Sequence, residues 1–180
     1  MAKLRMPPNC IDATEQYRGT VITLVGAEVF RKQITERRAA IHEAAHAVCG
    51  RILGFACGGA AITNDGTGSA TVDGVLTGHQ DLIRRGAHQD FRSSVLDKLM
   101  VCLAGPEAER VKFGDADARG DMRQIKRLQS RYSISDADVE RLRPQVHALL
   151  LRHWDKVEVV ATALLERGTL SGEAIAGLTG

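Results

Sequence analysis

Aromatic side chains are scarce in this chain: one Trp, two Tyr and four Phe in 180 residues. The core must then be built mostly from Leu, Val, Ile and Ala, which favours helices. The four cysteines, Cys10, Cys49, Cys57 and Cys102, form no CxxC pair. They are expected as small buried apolar groups in a reducing compartment. An excess of one charge is missing as well, and a net charge of +2 is too small to argue for nucleic acid. No apolar run approaches the ~20 residues of a membrane span. The longest run near the start, Val21 to Phe30, is broken by Thr23, Gly26 and Glu28. The opening MAKLRMPPNC has no apolar core of the signal-peptide kind. Internal repeats and low-complexity linkers are lacking too. The expectation is a cytoplasmic, unanchored protein that binds neither nucleic acid nor membrane.

What is present fits one globular domain, with 44% apolar and 26% charged residues. Residues 1–19 are polar, contain Pro7-Pro8 and read as a flexible arm; residues 20–180 read as the domain. The β-branched run TVITLV (20–25) predicts a short strand. A helix is predicted from Thr35 to Leu53, with Gly54 as its stop. Ala60–Thr63 and Ser69–Val72 flank a D-G turn signal and predict a β-hairpin. A long helix follows at 90–113, kinked at Gly105-Pro106. Residues 114–120 (GDADARG) read as a loop, and Asp121 opens a helix to Tyr132. Ser135 and Asp136 supply an N-cap, and Pro144 marks a break or first turn in the next helical segment. An amphipathic helix covers 154–166, and Ser171 caps a last short one.

Residues 42–46 read His42-Glu43-Ala44-Ala45-His46, an H-E-x-x-H string. On a helix, histidines four apart share a face and can reach one metal ion. Glu43 lies beside them, placed to take a proton from water activated by that ion. The expected fold is α+β and mainly helical: a zincin-like active-site helix, a small β-hairpin or sheet, and a C-terminal helical bundle.

A catalytic zinc takes three protein ligands and leaves a fourth position open. Cys49 follows His46 by three, but it stands seven positions from His42, about 10 Å along the axis. It is expected in the core. The remaining donors are His79, His88, His147, His153, Glu107, Glu109, Asp115, Asp117 and Asp121, and spacing alone does not choose among them. A carboxylate at the start of a helix is favoured, because a rigid element holds it and the preceding Gly120 lets the backbone approach. That residue is Asp121. Glu107 and Glu109 are candidates to accept the second N–H of a ligand imidazole. The basic cluster Arg119, Arg123, Lys126, Arg127 and Arg131 lacks interleaved aromatics and reads as a solvated helix face.

The run 37–47 (RRAAIHEAAHA) resembles the active-site helix of the FtsH-type zinc metalloproteases, the peptidase half of a membrane-bound AAA protease. Leu103-Ala104-Gly105-Pro106-Glu107-Ala108-Glu109 is similar to that family's small-residue helix ending in acidic residues. Gly120-Asp121-Met122 falls where the family has its distal aspartate ligand, and ALLERGTL (163–170) followed by Ser171-Gly172-Glu173 resembles its C-terminal signature. Ala45 departs from the family's usual glycine, and the chain has no GxxxxGK[ST] phosphate loop. The resemblance implies a standalone zinc metalloendopeptidase with Zn²⁺ on His42, His46 and Asp121 and with Glu43 as base. Without an ATPase half, its expected substrates are unfolded or flexible protein segments. A homo-oligomer and a separate delivery partner are compatible with this reading. Two alternatives accompany it: a peptidase-derived module that binds without cleaving, and a phage- or plasmid-type metallopeptidase that cleaves a regulator.

Overall fold

The computed structural model describes the backbone of residues 13–73 and 88–180. The described residues form a mainly helical α+β fold: α1 (Ala13–Ile52), β1 (Ala56–Ile62), β2 (Gly68–Asp73), α2 (His88–Phe113), α3 (Arg119–Tyr132), α4 (Asp136–Arg152), α5 (Trp154–Arg167), β3 (Thr169–Ser171) and α6 (Gly172–Thr179).

The C-terminal half of α1 is the spine of the fold. Ala39, Ala40, Ile41, Ala44, Ala45, Ala47, Val48 and Cys49 are all buried, so the helix is covered on nearly every side. It packs against α2, α5, β1 and β2. Small side chains make this possible, because they let neighbouring backbones approach closely. The methyl of Ala45 is fully enclosed. Cys49 is fully buried as expected, and burial pushes its thiol up to about 12.

The sheet has the order β2-β1-β3, antiparallel throughout. The predicted hairpin is present, with Ala60 opposite Ala70 and Ile62 opposite Gly68. Its turn closes through Thr63 N–H to the Thr67 carbonyl at 2.8 Å and Gly66 N–H to the Thr63 carbonyl at 3.0 Å. Gly66 takes φ +79° there, a conformation that costs glycine little. Asp65 Oδ1 accepts the Thr67 N–H at 3.0 Å, so the D-G signal has a direct physical basis.

Several local expectations are corrected. Residues 20–25 are not a strand: they continue α1. A lone strand would leave its backbone groups unpaired, whereas the helix satisfies them within itself. Of the residues expected as an arm, 13–19 belong to α1, and 1–12 lie outside the described residues. The helix α3 starts at Arg119, two positions before Asp121. The long helix expected over 90–113 is present as one element, with Pro106 inside it. Pro144 is neither at a break nor in a first turn but well inside α4. Its ring is exposed, while Val139, Leu142, Val146 and Leu150 bury the opposite face on both sides of it. The predicted cap of α4 is a full capping box: Ser135 Oγ accepts the Asp138 N–H at 3.1 Å, and Asp138 Oδ2 accepts the Ser135 N–H at 3.1 Å. Ser171 Oγ caps α6 through the Ala174 N–H at 3.2 Å. Among the described residues, no helix is long and apolar enough to cross a membrane.

Candidate metal centre

Helix α1 presents His42 and His46 one turn apart, and the first turn of α3 brings Asp121 onto the same spot. The His42 and His46 Nε2 atoms are 3.0 Å apart. Asp121 Oδ2 is 3.1 Å from His42 Nε2, and its Oδ1 is 3.2 Å from His46 Nε2. One ligand atom from each of these residues lies within 4.8 Å of the others, and the cluster could hold a metal ion. The residues are half-buried to buried, which limits competition from solvent.

The outer nitrogens decide which way the inner ones face. His46 Nδ1 is 2.7 Å from the Val101 carbonyl oxygen. A carbonyl only accepts, so that nitrogen carries the hydrogen and donates it. His42 Nδ1 donates in the same sense to Glu109 Oε1 at 2.6 Å. Both Nε2 atoms therefore turn toward each other and toward a carboxylate. Such a convergence of acceptors needs a cation or added protons to be favourable. The chemistry of the donor set thus fits a metal ion, with both imidazoles held by acceptors behind them.

Protons are the metal-free solution. Burial pushes the His42 imidazole down, but its bonds to Asp121 and Glu109 and the Asp121 and Glu43 charges outweigh this, so it is pushed up to about 10. Burial likewise pushes the Asp121 carboxyl up, and the two histidines more than reverse it, leaving it well below the usual carboxylate range.

Glu43 is 7% exposed and lines the same cleft. Burial raises its carboxyl, partly offset by the charges of His46 and His42. The cleft, about 1070 Å³, lies between β2 and the start of α3. Gly68, at the head of β2, packs directly on the carboxylate: a β-carbon there would stand 2.7 Å from Glu43 Cγ.

The two acidic candidates on α2 part company. Glu109 is 5% exposed and supports His42. Glu107 instead pairs with His147 Nδ1 at 2.9 Å and with Arg110 at 3.1 Å, on a separate part of the surface. Asp115 pairs with Arg38, and Asp117 with Arg119 at 2.6 Å. His79 and the side chain of His88 lie outside the described residues. His153 serves as the joint between α4 and α5. In the basic cluster of α3, Arg119, Arg123, Lys126, Arg127 and Arg131 are exposed, as a solvated face would be.

Sequence reasoning missed Gly105. A β-carbon on it would lie 2.5 Å from Nε2 of both His42 and His46. The α2 backbone therefore forms the floor of the centre, and any side chain there would occupy the space where the two nitrogens converge. The signal was present: a glycine in a helix interior costs about 1 kcal/mol relative to alanine, which asks for a packing reason. Comparison with family models and with curated proteins returned no match.

Proposed function

We propose that the chain is a zinc-dependent metalloendopeptidase acting on flexible or unfolded protein segments. One observation carries this reading: two imidazole Nε2 atoms and a carboxylate converge beside a buried glutamate in one cleft. A tetrahedral zinc with bonds of ~2.0–2.1 Å sets its ligands roughly 3.3 Å apart. The separations of 3.0, 3.1 and 3.2 Å are close to that spacing. Two neutral imidazoles and one carboxylate also leave a divalent ion with net positive charge. A bound zinc ion would polarise the scissile carbonyl and lower the pKa of water toward ~7.

The chain's own residues supply the rest. His42, His46 and Asp121 would hold the ion. Glu43 accepts a proton from the attacking water and passes it to the leaving amine. Its burial favours this role, since a raised carboxyl is a better base than an ordinary exposed one. The strand β2 is at the edge of the sheet and borders the cleft. Among the described residues no strand pairs with its outer side, and such an edge suits an extended peptide, the conformation a flexible segment can adopt. The resemblance of residues 37–47 to FtsH-type active-site helices points the same way.

Peptide or casein cleavage tests the reading. Activity should be abolished by a chelator and restored by zinc. Zinc held at full occupancy with no cleavage across a diverse peptide library would refute it in favour of a binding module.

A further inference from the structure

The guanidinium of Arg38 lies one helical turn before His42, at the junction of three segments. Its Nε donates to Glu109 Oε2 at 3.1 Å, while Glu109 Oε1 accepts from His42 Nδ1 at 2.6 Å. Its Nη2 also lies 3.1 Å from Glu109 Oε2 and donates to the Asp115 carbonyl at 3.0 Å and to the Asp115 carboxylate. Asp115 belongs to residues 114–118, which join α2 to α3. The same Glu109 Oε2 accepts the Asp117 N–H at 3.3 Å. The Arg38 Cζ stands 5.0 Å from the centre of the Phe113 ring, a distance for cation–π attraction. The guanidinium is therefore fixed by α1, the end of α2 and the connecting segment.

We propose that Arg38 is a positioning residue for the metal centre, coupling the helix that carries His42 and His46 to the segment that delivers Asp121. Through Glu109 it fixes the ring orientation of His42. Through Asp115 it fixes the entry of α3. Only a planar fork with several donors meets these acceptors together, because an ammonium is a single point of charge. The proposal rests on the metal reading above and adds a residue that would not touch the ion.

The test is a zinc titration of the full chain against a chromophoric competitor chelator, with helix content followed by circular dichroism. Arg38→Met should weaken zinc binding by about 10–100-fold, the usual effect of losing a partner behind a ligand imidazole. Arg38→Lys should recover only part of that loss. The double variant Arg38→Met with Glu109→Gln should lose less than the sum of the two single losses, because the two residues share the branch through Glu109, while the branch through Asp115 is lost only with Arg38. Wild-type affinity in Arg38→Met, or additive losses in the double variant, would overturn the proposal. If Arg38→Met loses its helix signal, Arg38→Lys carries the test, and wild-type affinity there overturns it. A wild-type chain that binds no zinc refutes the metal reading itself, an outcome distinct from the others.

Discussion

Gly105 lies so near the His42 ring that a β-carbon built on it would stand 2.5 Å from Nε2 and 2.6 Å from Cδ2. Real β-carbons do not approach neighbours that closely. Alanine is otherwise the better helix residue by about 1 kcal/mol. Gly105→Ala should therefore lower zinc affinity by at least about 10-fold, the scale expected for a disturbed ligand shell. Thermal unfolding beside a zinc titration checks this; unchanged affinity would mean that α2 yields easily.

Glu43→Gln should leave zinc uptake at the wild-type level, since Glu43 is not one of the three clustered residues that could hold the ion. Hydrolysis should fall by about 10²–10⁴-fold, the range for losing a general base. Kinetics on a fluorogenic peptide, with metal content measured on the same sample, separates the two effects.

The metal-free protein should lose stability on the alkaline side. His42 is raised from 6.5 to about 10. Its contribution is complete below pH 6.5 and disappears as pH rises toward 10. Asp121 is lowered from 3.8, so its contribution holds above pH 3.8 and is lost as pH falls through its depressed value. From these two groups, metal-free stability is greatest between pH 3.8 and 6.5. Zinc must displace the His42 proton, so its affinity should climb with pH and binding near neutrality should release protons. Denaturant melts across pH, and calorimetry in buffers of different ionisation enthalpy, test both statements.

Ser135→Ala removes the hydroxyl half of the α4 capping box. It should cost about 1 kcal/mol, or a fall in Tm of roughly 2–4 °C for a chain of this size. Zinc affinity should not change, which makes this variant a control for effects of stability alone.

How much of this was legible in the sequence depended on range. The hairpin was readable because Asp65-Gly66 is a local turn signal with a local cause. The H-E-x-x-H pair was readable because helical period alone aligns His42 with His46. Asp121 required a chemical preference for a rigidly held carboxylate, and the fold brings it to the two histidines. The strand expected at 20–25 followed β-branched propensity, a weak prior that the continuous α1 helix overrides. Pro144 was misread because its cost depends on which face of α4 loses the bond, and that is a tertiary fact. Arg38 was invisible for the same reason, and Gly105 showed only as a costly glycine inside a helix, with nothing to say what it faces. Their importance lies in contacts with residues about 60 to 80 positions away, which no spacing rule encodes.

The most direct measurement is metal content after dialysis of the purified wild-type chain and of Asp121→Ala, with helix content checked for both. The account predicts one zinc per wild-type chain and near-complete loss in the variant, with its fold retained. A wild-type chain without zinc, or an Asp121→Ala chain that holds zinc as tightly as the wild type, would contradict it.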